Sequence, residues 1–520
     1  MATQLECLFL KLEPLFTMAR TITFLVWFLF LGVACGGNNH YLKDIRRLQA
    51  FKASIITRHG SVAANSRSSS FSSSFAAPNS PLLSDEGGNN PRVYHVTSYG
   101  ADPTGNSDST EALIAAIADA AAKAPSQGQL MQGITDLGGA HIDLEGGNYL
   151  ISRPLRFPAA GVGNLMIHGG TIRASKKFPE DGYIIDLSST SSSSPSNNNN
   201  NQNRGANSES SHSSPYNFEY ISFKDLLLDS NFRGGGISVI NSLRTNIDNC
   251  YITHFTTNGI LVQSGHETYI RNTFLGQHVT AGGDKNEKNF SGTGISLLGN
   301  DNAVTDVVIF SAAVGIMVTG QANTFSGVHC YNKATGFGGT GIYLRLPGLT
   351  QTRIVNSYMD YTSIVAEDPV QLHVSSSFFL GDANIVLKSV NGVVNGISIV
   401  DNMFSGSDSG VEIVQLDQSN RSFKQIDQAI VDRNIVRGMN LKATVAKMSI
   451  QGNGTLWNVD FSGVLLFPNL IRNVQYSVSS NGGTFPNHAL RDVSENKVVI
   501  ETSEAVNANV FVTVDQSMVY

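Results

Sequence analysis

Charge is scarce in this 520-residue chain: Asp, Glu, Lys and Arg together make up 15% of it. Tryptophan occurs twice, and cysteine four times, at Cys7, Cys35, Cys250 and Cys330. So few cysteines exclude a disulfide framework. Cys7 and Cys35 lie in or beside the N-terminal apolar region, and Cys250 and Cys330 fall in apolar stretches that suit buried thiols. The formal net charge of −6 argues against nucleic acid as the main partner. No leucine framework and no Trp-Asp blade signal is visible, which excludes leucine-rich and propeller arrays. No compact Asp cluster suited to calcium is visible either, so neither a metal nor another cofactor is expected. What is abundant is glycine, 50 residues of it, with frequent Asn and Ser. That composition suits a turn-rich β protein.

The first 17 residues carry Glu6, Lys11 and Glu13 ahead of the main apolar run. Read from Met18, "MARTITFLVWFLFLGVACGG" has Arg20 as its basic start, an apolar run from Ile22 to Val33, and small residues from Ala34 to Gly37. This is the pattern of a secretory leader over residues 1–36, with Met18 as the true start. The run is too short for a membrane anchor. Residues 37–91, with "SRSSSFSSSF" near the centre, read as a linker or pro-segment that buries too little apolar surface to order itself. A second polar tract, Ser188–Pro215, reads as an inserted surface loop. Asn289-Phe-Ser, Asn420-Arg-Ser and Asn453-Gly-Thr are glycosylation sequons that fit a secretory route. The mature protein is expected outside the cell, free of membrane, as a monomer.

The ordered block starts with an alternating strand in "VYHVTSYGADPTGNSDSTEALIAAIADAAAK". Asp108 precedes Glu111 by three residues, the spacing of a capping box. Leu113, Ile114 and Ile117 among alanines predict a helix over Ser109–Lys123. From about Phe218 the chain repeats: Gly-Ile pairs start short strands at Gly236, Gly259, Gly294, Gly315 and Gly341, at intervals of 23, 35, 21 and 26 residues. A second series places Asn249, Asn272, Asn356 and Asn402 after an apolar residue and one spacer, and Asn434 after an apolar residue and two. Asn tolerates the left-handed backbone of a tight turn, and stacked amides form ladders. The repeat predicts an all-β fold, a right-handed parallel β-helix over residues 92–440, with the helix capping its first coil. Beyond residue 440 the period is lost, and residues 441–520 read as further strands closing the other end.

The opening "VYHVTSYGADPTGNSDSTEALIAAI", with "GGNYLISRPL", resembles the N-terminal part of pectin-lyase-like β-helix proteins. With the Gly-Ile coils, the likeness spans Val93–Asn440. Within that superfamily the chain is most similar to plant QUARTET-type polygalacturonases, a divergent branch of glycoside hydrolase family 28. The resemblance implies hydrolysis of α-1,4-linked galacturonan of pectin in the cell wall, and a role in freeing pollen from the mother-cell wall. It also implies four signatures, none of which is intact. Asn-Thr-Asp becomes Thr256-Thr257-Asn258 ahead of Gly259-Ile260, and no Asp pair precedes Gly294-Ile295. Gly-His-Gly falls on Ala312–Gly320, which has no His, and Arg-Ile-Lys becomes Tyr343-Leu344-Arg345.

Hydrolysis of a glycoside needs one carboxyl to protonate the leaving oxygen and one to activate water. With the usual positions lost, the candidates are Asp284, in the insertion His278–Phe290, and Glu267, followed by Asp301. Each of them taken alone reads first as a solvated surface residue or turn former. His266 is placed to tune a carboxylate or bind a hydroxyl. Arg345 and Arg271 are candidates to pair with galacturonate carboxylates, and Tyr343 to stack on a sugar ring. Two rival readings stand beside hydrolysis: a calcium-dependent pectate lyase, and a catalytically inactive β-helix that binds wall polysaccharide.

Overall fold

The computed structural model describes residues 92–517, apart from 124–127, 158–159, 189–215, 279–289, 332–338, 481 and 484. The leader and linker regions expected at the N-terminus, Asp284, Asn289 and nearly all of the Ser188–Pro215 tract therefore lie outside the described residues.

Short strands stack in parallel on three faces, and from Gly235 the chain visits the faces in turn. One circuit runs Asn258–Gln263, Tyr269–Arg271 and Phe274–Gly276, then returns to the first face at Thr293–Leu297. The first face is a ten-stranded parallel sheet from Leu155–Arg156 to Val414–Asp417. The second ends at Ile430–Asp432 and the third at Ile435–Arg437. This mostly parallel stacking agrees with a β-helix of the pectin-lyase-like kind.

The Gly-Ile repeat has a direct physical basis on the first face. Ile185, Ile237, Ile260, Ile295, Ile316, Ile342, Ile364 and Ile385 stand in register, one per coil, and all have zero exposure. Each buried isoleucine contributes about 1.5–3 kcal/mol relative to exposure. The preceding glycines are stacked too. A Cβ on Gly236, Gly259, Gly294 or Gly315 would lie 2.5–2.6 Å from the carbonyl oxygen of the next glycine in the column. The column ends at Gly341, where a Cβ would meet Thr362 Oγ1 at 2.6 Å.

The Asn series proves to be two series. Asn249, Asn272 and Asn356 sit at the corner between the second and third faces with φ of 51–53°. Asn272 Nδ2 donates to Asp248 Oδ1 at 2.9 Å, tying adjoining coils. In the later coils Asp401 and Arg433 take the left-handed position. Asn402 and Asn434 follow them by one residue and form the internal ladder, Asn402 Nδ2 donating to Asn434 Oδ1 at 3.1 Å. The helix spans Thr110–Ala122, burying Leu113, Ala116, Ile117 and Ala120. The capping box is not formed. Ser109 is the N-cap, Asp108 Oδ1 accepts from the Thr110 backbone N–H at 3.0 Å, and Glu111 pairs with Arg153.

Four antiparallel strands follow the coils: Val445–Asp460, Asn473–Ser480, His488–Ser494 and Lys497–Asp515. They enclose a second core around Trp457, Phe461, Ile500 and Val512. Cys250 and Cys330 are free and buried, and burial pushes both thiols up to about 12.

Gly294→Ala places a Cβ against backbone that has no room to give. We expect a loss of about 1–3 kcal/mol of stability, read as a lowered thermal midpoint. An unchanged midpoint refutes the close-stacking account.

Candidate functional site

The corner between the first and second faces holds the densest cluster of titratable side chains placed by the candidate positions. Leu243 pairs with Glu219 in the second-face ladder, and isolated bridges link Leu243 to His266 and His266 to Asn300. This register puts Arg244, Glu267 and Asp301 at equivalent positions on successive coils, about 4.8 Å apart along the stack. Their φ values of 53°, 55° and 58° confirm the equivalence. Each left-handed non-glycine residue costs about 1–2 kcal/mol, which the stacked hydrogen bonds on both sides offset.

Side chains across this corner interlock. Arg244 Nη1 donates to Glu219 Oε1, and Arg244 Nε lies 2.9 Å from Glu267 Oε2. His266 Nδ1 lies 3.1 Å from Asp301 Oδ2, and the Tyr216 ring meets the imidazole edge-on at 6.1 Å. Glu219 is 5% exposed, whereas the Glu267 and Asp301 side chains are 38% and 53% exposed. Two partly exposed carboxyl side chains therefore stand on adjoining coils, one beside a guanidinium, with its Oε2 buried, and one beside an imidazole. Each carboxylate turns back towards the preceding coil, Glu267 to Arg244 and Asp301 to His266.

The structure thus brings together Glu267, Asp301 and His266. It adds Arg244 and Glu219, which the sequence reading missed; the one local signal was a charge, Glu219, inside the apolar run "NFEYISF". Arg271 points elsewhere, pairing with Asp248 on the second face at 3.3 Å. Tyr343 and Arg345 lie three coils further along the first face, outside the core formed by Ile342 and Leu344. Tyr343 Oη donates to Glu367 Oε1 at 2.6 Å, and Lys388 Nζ sits 3.1 Å from both oxygens. Burial, then the bond to Glu367, pushes the Tyr343 phenol up, and hydrogen bonds to Tyr343 and Glu367 raise Lys388. Of the sequons, Asn420 and Asn453 are exposed.

Asn258 has a partner of its own. Its Nδ2 donates to Tyr183 Oη at 2.8 Å, and the Tyr183 ring lies over Gly235, where a Cβ would meet it at 2.5 Å. Desolvation pushes the Tyr183 phenol up.

The third face carries an outward column in register: Leu227, Tyr251, Phe274, Val308, His329, Tyr358, Phe378, Met403 and Ile435. Tyr251 and Phe274 stack with ring centres 4.3 Å apart, and His329 lies 4.5 Å from Tyr358. His329 Nε2 is buried without a partner, and desolvation lowers the imidazole to about 4.

These parallel coils are of the pectin-lyase-like class. The family model for rhamnogalacturonase A/epimerase, pectate lyase-like, matches residues 93–338. The chain is 59% identical over 485 residues to Polygalacturonase QRT3 of Arabidopsis thaliana, covering 93% of this chain and 94% of that protein. The chain belongs to the pectin-lyase-like polygalacturonase family. Solved structures with a similar course include ORF18 of Geobacillus virus E2, at 10% identity and TM-score 0.42, covering 80% of this chain and 77% of that one. Another is a double mutant of the tailspike protein of E. coli bacteriophage HK620 in complex with a pentasaccharide, at 9% identity and TM-score 0.43, covering 82% and 94%.

His329 generates a pH prediction. Its folded value of about 4 lies below the ordinary 6.5, so the neutral ring is favoured. The stability it contributes is complete above about pH 6.5 and is lost as pH falls through 4. Melting from pH 7 to pH 4 should show a smaller fall for His329→Phe than for the unaltered protein. Equal falls would place the acid sensitivity elsewhere.

Proposed function

We propose that this protein is a secreted polygalacturonase that hydrolyses α-1,4-galacturonan of cell-wall pectin, with Glu267 and Asp301 as its carboxyl pair. The observation that carries this reading is their equivalent placement on adjoining coils, one paired with Arg244 and the other with His266. Asp301 protonates the glycosidic oxygen as the bond to the anomeric carbon breaks. Glu267 takes a proton from the attacking water, its charge matched by the guanidinium. Inversion places the two carboxyls about 6.5–9.5 Å apart, with that water between them. Tyr343 and Arg345, about three coil rises or 14 Å along the stack, receive a more distant galacturonate residue, the arginine pairing with its carboxylate.

The finer features of the fold belong to the same reading. The coils wind right-handed, as parallel crossovers do, and the helix Thr110–Ala122 closes the first coil. Translation from Met18, removal of the leader, glycans on Asn420 and Asn453, and action as a monomer outside the cell, around pollen mother cells, complete it.

The test is release of reducing ends from polygalacturonate across pH 4–7. Glu267→Gln and Asp301→Asn should each lower kcat by about 10²–10⁴-fold. Full activity in both variants moves the carboxyl pair elsewhere on the chain. Pectin binding without release of reducing ends, in the unaltered protein, identifies an inactive binder. Calcium-dependent unsaturated products identify a lyase.

A further inference from the structure

We propose that Arg244, anchored by the buried carboxylate of Glu219, is the positioning residue that holds Glu267 in place for the reaction. The inference rests on the reading of Glu267 given above.

The argument starts from an asymmetry in burial. Glu267 is 38% exposed, and an ion pair between two exposed, flexible side chains holds neither of them firmly. Glu219 is different. It is 5% exposed, its Oε1 accepts from Arg244 Nη1, and its Oε2 is buried without a hydrogen-bond partner. A desolvated carboxylate left with no cation is costly, so the guanidinium cannot swing away from it. Arg244 is thereby fixed from the inside of the corner. Its Nε then lies 2.9 Å from Glu267 Oε2, a buried oxygen with no hydrogen-bond partner, so the guanidinium charge is what holds it.

The backbone reinforces the arrangement. The Arg244 N–H donates to the His266 carbonyl oxygen at 3.2 Å, while the His266 N–H donates to the Ser242 carbonyl oxygen at 3.2 Å. One residue therefore holds both partners of the site: Glu267 through its side chain and His266 through its main chain. The planar guanidinium matters, because its Nη1 donates to one carboxylate while its Nε lies against a second. A lysine ammonium offers a single point charge on a flexible stem. Neither Glu219 nor Arg244 is required to touch substrate in this account.

The experiment measures kcat and KM on polygalacturonate for Glu219→Gln, Arg244→Lys and Arg244→Ala, with thermal midpoints recorded alongside. We expect Glu219→Gln and Arg244→Lys to lose kcat by about tenfold to a hundredfold with KM within about twofold. Added guanidinium ion should restore Arg244→Ala at least about tenfold and should leave Glu267→Gln unrestored. Wild-type kcat in folded Glu219→Gln and Arg244→Lys, with Glu267→Gln impaired, overturns the inference and leaves the reading of Glu267 intact. Wild-type kcat in Glu267→Gln overturns both. If Arg244→Ala fails to fold, the two conservative variants decide, since a purely structural role lowers their midpoints while sparing kcat in the folded protein.

Discussion

The close stacking of one coil on the next governs this molecule. A column of glycines leaves no space for a Cβ between successive carbonyl oxygens, and a column of isoleucines fills the space beside it. Both follow from the same spacing, that of parallel strands hydrogen bonded along the stack. Once that spacing is set, corners are forced into repeated left-handed turns. Whatever side chains stand there form columns of their own.

Those columns explain how the chemistry can depart from the family pattern while the fold persists. Asn258 stands where the resemblance leads one to expect an aspartate, and its amide is bonded to Tyr183 across the first face. It is a structural residue in a structural row. The titratable groups gather instead at a corner, where Arg244, Glu267 and Asp301 share one backbone conformation. This corner places little demand on side-chain identity: Tyr220, Arg244, Glu267, Asp301 and Ala322 all take its left-handed position. Tyr343 and Lys388 show the opposite case, two polar groups on a face that hold each other and Glu367 in a fixed network.

Much of the fold was legible because its cause is local and repeated. Gly236, Gly259, Gly294, Gly315 and Gly341 each announce a strand, and the structure places all five in one column. The Asn series was legible only in part. Asn249 and Asn402 look alike in sequence, yet one turns the chain and the other lies inside, one residue further on. Sequence cannot separate them without knowing where the corner falls. The site was less legible again. His266, Glu267 and Asp301 could be picked out by residue type, but Glu219 and Arg244 become partners only through coil-to-coil register. The helix start misled for a related reason: Glu111 finds Arg153, on another coil, in preference to its own helix.

The equivalence of Arg244, Glu267 and Asp301 has a consequence for how distance is written into this chain. They are 23 and 34 residues apart in sequence, yet each step is a single coil. Sequence separation is therefore the wrong ruler here, and the coil number is the right one. A site built on a solenoid has an address made of a coil and a corner. Two proteins can share that address while their residue spacings disagree, so a search keyed to fixed spacing passes over such a site even when every group in it is present.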